Sequence, residues 1–123
     1  MDSIKLFSDQ LHLFERDCFM LIKPTSHQFK TGNRYFFKKP TSFDNYLGRR
    51  LLKYKQDFLL KDISENYTWL AKNCDKKTFL EIQQTLFNSK LDDSFSVLIF
   101  SNVETEEYIV HQQELQLQKF PTI

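Results

Sequence analysis

Apolar residues recur along the chain at two spacings, and each spacing predicts a different kind of element. Over residues 3–17 the apolar side chains lie three and four positions apart, which is typical of one face of a helix. The run CFMLIK at 18–23 is short and mostly apolar, which favours a buried strand that ends at Pro24, although such a run could also prolong the helix. We therefore expect a helix and then a strand, with the boundary near Asp17.

The stretch FKTGNRYFFKK at 29–39 combines four aromatic rings with four cationic side chains. Its Gly-Asn pair can form a two-residue hairpin turn, which would make Phe29 and Phe36 a cross-strand pair on the core side of a sheet. Tyr35 and Phe37 would then lie on the other face, where they could cover a helix or present their rings to nucleic-acid bases. We favour core packing for at least two of the four rings.

Residues 41–62 are predicted to form a second helix that begins at a capping box. Apolar positions of this segment follow the helical spacing and would face the core: Phe43, Leu47, Leu51, Tyr54 and Phe58. Arg49 and Lys53 would lie on the solvent side. Gly48 is expected to mark a close contact or a mild bend, because glycine weakens a helix.

The rest of the chain is predicted to contain two shorter helices and a strand. The helices are expected at 64–73 and 75–90, where Ser64 and Asp75 can act as amino-terminal caps. The apolar run SFSVLIFSN at 94–102 predicts a strand, because it is short and bounded by polar residues.

The tail that follows can be read in two ways. Ser101 and Glu104 fit the capping box of a helix, but apolar and polar residues alternate after them, which favours a hairpin with strands near 106–111 and 114–120. No linker or internal repeat divides the chain. We therefore expect residues 1–123 to form a single small α+β domain, with helices packed on one face of a mainly antiparallel sheet.

Composition narrows the class of protein. With 27% charged and 15% aromatic residues, the chain is too apolar and too evenly mixed to be disordered. Its apolar runs are far shorter than the roughly 20 residues of a membrane-spanning helix, and no signal peptide is visible, so we expect no membrane partner. Cys18 and Cys74 form neither a disulfide framework nor a zinc pattern. We therefore expect buried, reduced thiols and a cytoplasmic protein.

No complete catalytic, metal-binding or cofactor-binding motif is present in the sequence. His12, Glu15 and Cys18 would share one side of the first helix, but no further pair completes a tetrahedral metal site. Cys74 with His111 as its base would lack a third group to orient the histidine. We therefore expect no catalytic residues, no metal and no cofactor, and a protein that is not an enzyme.

Charge is distributed unevenly and supplies the candidate site. Residues 23–61 carry ten cations and two anions, whereas residues 62–123 carry five cations and ten anions. Two segments that neutralise each other, or an ordinary solvated surface, would give the same pattern. As a site, the basic segment would attract phosphates or an acidic protein surface. The candidate partner-binding residues are Arg34, Lys38, Lys39, Arg49, Arg50, Lys53 and Lys55.

Two main functional hypotheses and a minor one are compatible with these observations. The first is a small cytosolic protein-binding module that blocks or positions another protein with an acidic surface, as immunity proteins, antitoxins and phage-encoded inhibitors do. Composition poor in alanine and glycine and rich in lysine suits the AT-rich genome of a bacterium, phage or mobile element, and some eukaryotic genomes would also fit. The alternative is a small nucleic-acid-binding protein that uses the basic segment 23–61, and a minor alternative is a structural subunit of a larger assembly. The sequence indicates no oligomeric state.

Overall fold

The computed structural model describes residues 3–41 and 43–102. Within these residues the chain forms five strands, two α-helices and two short 3-10 helices. The strands are β1 (Ser3–Lys5), β2 (Cys18–Pro24), β3 (Arg34–Lys38), β4 (Tyr46–Leu59) and β5 (Ser94–Asn102). The α-helices are α1 (Glu65–Lys72) and α2 (Lys76–Leu86), and the 3-10 helices span Ser8–Glu15 and Leu60–Asp62.

The five strands form one sheet in the order β1-β3-β4-β5-β2. Only the β1–β3 pairing is parallel, and the other three pairings in the described residues are antiparallel. Ala71 of α1 and Phe79 of α2 pack against Ile22 and Val97 on one face of the sheet. The predicted class, a small α+β domain with helices on one face of a mainly antiparallel sheet, is therefore confirmed.

The opposite face of the sheet carries the second part of the core. Leu13 of the first 3-10 helix and Phe29 of the loop after β2 close over it. Beneath them the rings of Phe19, Phe37 and Phe100 lie with centroids 5.0–5.7 Å apart. Strand β5 is thus buried on both faces, which explains why its sequence is a continuous apolar run.

The helix predicted for residues 41–62 is wrong, because most of this segment is strand β4. Its pairing with β3 shifts register between Phe37 and Lys38, and its pairing with β5 shifts between Leu52 and Tyr54. Each shift changes which side chains face the core, so the apolar residues no longer alternate in twos. Gly48 does mark the expected close contact, since an added β-carbon would lie 2.9 Å from a ring atom of Phe14.

The hairpin predicted around the Gly-Asn pair is also wrong, because β3 pairs with β1 and β4 instead. Residues 25–33 form a loop tied down by the hydroxyl of Tyr35, which accepts a hydrogen bond from the Lys30 N–H and donates one to the Gln28 carbonyl. Phe29, Tyr35 and Phe37 are buried, so at least two of the four rings do lie in the core, but the faces predicted for Tyr35, Phe36 and Phe37 are reversed. Phe36 lies on the other face.

The more local predictions hold. Ser64 caps α1 by accepting a hydrogen bond from the Asn66 N–H, and Asp75 caps α2 by accepting one from the Thr78 N–H at 2.7 Å. Strand β2 begins at Cys18 and strand β5 spans the predicted residues. The predicted first helix is shorter, a 3-10 helix preceded by β1. The hairpin predicted for 106–120 lies outside the described residues.

Both cysteines are free, but they are less buried than expected. Cys18 is exposed and Cys74 is partly buried. Cys18 begins β2, an outer strand of the sheet, which leaves its side chain open to solvent. In the described part of the chain, no helix is long and apolar enough to cross a membrane.

Candidate functional site

Helices α1 and α2 cover only one half of a sheet face. The other half of the same face is open. Under the helices lie β5 and β2, whereas β3 and the first half of β4 present exposed side chains on this same face, notably Arg34, Tyr46 and Arg49. Side chains that pair directly across strands share a face, so the register shows which residues are neighbours. This open half is the candidate site.

Two rows of paired residues cross the open half. Lys5 pairs with Lys38, which pairs with Tyr46, and Ser3 pairs with Phe36, which pairs with Arg49. Arg34 lies one step further along β3, opposite Leu51 of β4. Because neighbouring strands are about 4.8 Å apart, these side chains form one continuous surface. We call it the basic-aromatic face, composed of Lys5, Arg34, Phe36, Lys38, Tyr46 and Arg49.

Two aromatic rings form the centre of this face. Phe36 and Tyr46 meet edge to face, with their centroids 5.7 Å apart and their planes 66° apart. Phe36 is partly buried, whereas the Tyr46 side chain is 58% exposed. Aromatic pairs of this geometry contribute about 0.5–1.5 kcal/mol beyond the burial of their area. The pair therefore gives a largely cationic surface a rigid apolar centre.

The cations on this face stand close together. Lys5 and Lys38 are direct cross-strand partners, and like charges in this arrangement disfavour the pairing of the strands. Among the described residues in these rows, none is acidic. An anionic group placed over the face would relieve the repulsion, so the arrangement is electrostatically suited to an acidic ligand.

An exposed phenylalanine lies in the connection that joins two strands of the face. Phe43 lies in the connection between β3 and β4, three residues before Tyr46, and its side chain is 90% exposed. Leaving such a ring in water forgoes the stabilisation of burying it, which is about 1.5–3 kcal/mol for a side chain of this size. Phe43 is thus available as an anchor for a partner that covers the connection.

The structure distributes the seven cations predicted from the sequence over both faces of the sheet. Arg34, Lys38 and Arg49 belong to the basic-aromatic face. Lys53 is exposed where the register of β4 shifts, and Lys39 is partly buried just beyond β3, where its N–H donates to the Asn45 carbonyl at 2.7 Å.

Arg50 and Lys55 lie on the opposite face and hold other segments in place. The Arg50 guanidinium stacks 3.7 Å from the ring centroid of Phe14, and its Nη2 donates to the Phe14 carbonyl at 2.9 Å. Lys55 Nζ donates to the Phe29 carbonyl at 3.2 Å and lies 3.9 Å from Asp57 Oδ1. These contacts fasten the first 3-10 helix and the loop after β2 to β4.

Three members of the face, Lys5, Phe36 and Tyr46, are not recognisable as neighbours from the sequence. Its pattern predicts a helix at Lys5, a core position for Phe36 and a second helix at Tyr46. The alternation of Arg34, Phe36 and Lys38 along β3 was the available signal, because it places two cations and one ring on the same side of a strand.

Comparison with known proteins adds no family to this description. No protein-family model and no curated protein sequence matches the chain.

Proposed function

We propose that the protein is a small protein-binding module that uses its basic-aromatic face to bind an acidic surface of another protein, which it thereby blocks or positions. One observation chiefly supports the proposal, which is that Lys5 pairs directly with Lys38 beside the Phe36–Tyr46 ring pair. Among the described residues in these two rows of cross-strand partners, none is acidic. Proteins that act by blocking a partner, such as immunity proteins, antitoxins and phage-encoded inhibitors, are the class that we propose.

The composition of the face suits protein recognition. Tyrosine and arginine are enriched among the residues that dominate binding energy at protein interfaces, where they lie near the centre and exclude water. Tyr46 and Arg49 are residues of these types, and the exposed Phe43 in the connection between β3 and β4 supplies further apolar area. Interfaces of ordinary size bury about 800 Å² on each partner, so we expect contacts to extend from the strands onto the connection at 39–45.

Charge gives the association a recognisable signature. A cationic face steers an acidic partner during the encounter, which raises the association rate and makes it fall with ionic strength. The contacts that determine dissociation would come from the rings. Charge reversal on the face should therefore act mainly on association, and loss of a ring mainly on dissociation.

Nucleic-acid binding is the second candidate, because cations surround an aromatic pair on an open sheet face. Platforms that stack bases offer two or three rings with open faces. The edge-to-face contact of Phe36 with Tyr46 directs the edge of one ring at the face of the other, which reduces the area open to a base. A net charge of +1 also gives little general attraction to phosphates. We therefore rank this candidate below protein binding.

The test compares the wild type with a Lys38→Glu/Arg49→Glu variant. Proteins captured from extracts of the source cells are identified, purified and titrated individually, and mixed single-stranded DNA and RNA are titrated by mobility shift at low and moderate salt. A Lys77→Glu/Lys90→Glu variant makes the same charge change at exposed positions outside the face.

A purified acidic protein that binds the wild type and the control but not the face variant supports the proposal. Equal binding of that protein by all three chains would contradict it. A mobility shift at moderate salt that is lost only in the face variant would favour the nucleic-acid candidate instead.

A further inference from the structure

A second feature lies where the ends of several elements meet. Two cavities of about 420 and 340 Å³ share four lining residues, which are Phe7, Lys72, Gln83 and Phe87. Phe7 follows β1, Lys72 is in the last turn of α1, Gln83 is in α2 and Phe87 follows α2 directly. We call the two cavities and their shared walls the Phe7 cleft.

Most of the cleft is apolar. The larger cavity is walled by Phe79, Ile82 and Leu86, and the smaller one by Ile22, Pro24 and Phe95. Between them the rings of Phe7 and Phe87 lie 6.1 Å apart, yet these side chains are 46% and 53% exposed. Two large rings thus remain half in water inside a concave apolar surface, which is typical of a site for a small ligand.

Two ammonium groups reach into this apolar surface. The Nζ atoms of Lys23 and Lys72 lie 5.4 and 5.9 Å from the ring centroid of Phe7, so both are near one ring. Burial lowers the pKa of each amine, and the charge of Lys72 lowers the pKa of Lys23 further. Asp9 attracts Lys72 and partly offsets the burial.

The two lysines lack a close anion within the described part of the chain. Neither Nζ lies within 4.0 Å of a described carboxylate, and neither donates a hydrogen bond to a described residue. Two like charges therefore share an apolar, partly desolvated site, in which the Phe7 ring, the Asp9 carboxylate and the carboxyl-terminal end of α1 offset only part of the cost of burial. An anion placed between them would satisfy both.

We propose that the Phe7 cleft binds a small amphipathic carboxylate, whose apolar body fills the cavities and whose headgroup lies between Lys23 and Lys72. Both charge and shape support this ligand class. A purely apolar molecule would leave the ammonium groups unsatisfied, and a simple inorganic anion would leave the rings of Phe7 and Phe87 exposed. The volumes fall at the lower end of the range of about 300–1,000 Å³ found for small-molecule sites, which suits a medium-chain fatty acid.

The helix ends explain the choice of a carboxylate over a phosphate. Sites for phosphate commonly use the amino-terminal end of a helix, where backbone N–H groups and a partial positive charge meet the anion. At the Phe7 cleft both α1 and α2 present their carboxyl-terminal ends, at Lys72 and Phe87. The partial negative charge of these ends disfavours a doubly charged group. A singly charged headgroup with two ammonium partners fits better.

The experiment is a calorimetric titration of the wild-type protein with decanoate, kept below its micelle concentration, and with the uncharged decanol. Lys23→Met and Lys72→Met remove one charge each and keep an apolar stem of similar length. Lys77→Met is the matched control, because Lys77 is exposed and does not line either cavity. Circular dichroism verifies that each variant is folded, and the two separate lysine variants keep the test valid if one of them does not fold.

We expect saturable binding of one decanoate per chain, weaker binding of decanol, and a loss of affinity for decanoate of about tenfold or more in each cleft variant, as is usual when a charged hydrogen bond is lost. The control should bind like the wild type. Absence of saturable decanoate binding, equal affinity for decanol, or unchanged affinity in both cleft variants would overturn the proposal. The basic-aromatic face does not enter this experiment, so the two proposals can fail independently.

Discussion

The ring of Phe14 rests directly on the backbone of Gly48. A β-carbon added to Gly48 would lie 2.9 Å from Cζ of Phe14, which is closer than such carbons approach in folded proteins. The guanidinium of Arg50 stacks on the same ring, with its central carbon 3.7 Å from the ring centroid. Gly48 also has a φ of +145°, which residues with side chains rarely adopt. The glycine thus lets the first 3-10 helix pack against β4.

Replacing Gly48 by alanine should therefore reduce stability through two effects. Backbone strain and the clash with Phe14 together are expected to cost about 2–4 kcal/mol of unfolding free energy. Gly32→Ala is the control, because Gly32 also has a positive φ, of +92°, but no atom within 4 Å of an added β-carbon. It should lose only about 1–2 kcal/mol. Urea unfolding measures both values, and equal losses would show that the contact with Phe14 contributes nothing.

Phe36 and Phe37 are adjacent but lie on opposite faces of the sheet, so their truncation should have different effects. Phe37 is fully buried, and its ring contacts those of Phe14, Phe19 and Phe100. Phe37→Ala should reduce the unfolding free energy by about 3–5 kcal/mol, as is usual for a buried phenylalanine. Phe36→Ala should cost roughly 1–2 kcal/mol. Urea unfolding of both variants tests the assignment of faces, which a reversed order of the two losses would contradict.

Strand β4 shows why part of the fold could not be predicted from the sequence. A regular strand repeats every two residues, but each register shift in β4 adds one residue between neighbours on one face, so that they lie three positions apart instead of two. On the face that α1 and α2 partly cover, the resulting positions are Tyr46, Arg49, Leu51, Tyr54, Gln56 and Phe58. Spacings of two and three residues between side chains on one face resemble the spacings of three and four residues on one face of a helix. The bulges depend on partner strands distant in sequence, so the local pattern was misleading.

Elements with local causes were predicted well. The caps of α1 and α2, at Ser64 and Asp75, depend on bonds to backbone groups two or three residues away. The three-residue strand β1 depends on its pairing with β3, and no pattern in the neighbouring sequence predicts it. The same reason limited the candidate site, since Lys5 joins Lys38 through that long-range pairing.

The two cysteines should differ in reactivity, because their exposure differs. Cys18 is exposed, whereas Cys74 is partly buried and its pKa is raised, chiefly by burial and further by Asp75. Thiolates rather than thiols react with alkylating reagents. Iodoacetamide should therefore modify Cys18 first in the native protein at neutral pH, as peptide mass spectrometry would show. Cys18→Ser should abolish the fast phase of labelling, and faster modification of Cys74 would be inconsistent with the structure.

The partly buried Lys72 should make stability depend on pH in a defined direction. Burial lowers its pKa in the folded state below the ordinary value of 10.5, so the unfolded chain binds the proton more tightly. The charged amine therefore opposes folding below the lowered pKa, and this cost disappears as pH rises towards 10.5. Lys72→Met should be more stable than the wild type at neutral pH, and its advantage should shrink in alkaline solution.

Urea unfolding of both chains at neutral and alkaline pH measures this difference. Groups common to both proteins cancel in the comparison, and the exposed Lys77→Met shows how a solvated lysine behaves. An advantage that grows with pH would mean that Lys72 is stabilised as a cation in the folded protein.

Phe43 should matter for binding but not for folding. Because its side chain is 90% exposed, Phe43→Ala is expected to change the unfolding free energy by less than about 0.5 kcal/mol. If the ring is buried by the partner, the same variant should accelerate dissociation, and affinity should fall by about tenfold or more. Leu86→Ala removes another exposed apolar side chain, at the Phe7 cleft, and serves as the control. Equal dissociation rates for both variants would exclude Phe43 from the interface.

The most direct test of the proposed function is the rate at which the purified acidic partner associates with the protein. Stopped flow measures this rate at several salt concentrations for the wild type and for Lys38→Glu/Arg49→Glu. The wild type should associate rapidly at low salt and slow down as salt is added, because opposite charges steer the encounter. The face variant should associate about tenfold or more slowly at low salt and depend little on salt, with unchanged circular dichroism. Identical rates and identical salt dependence for the two chains would contradict the assignment of the basic-aromatic face as the binding site.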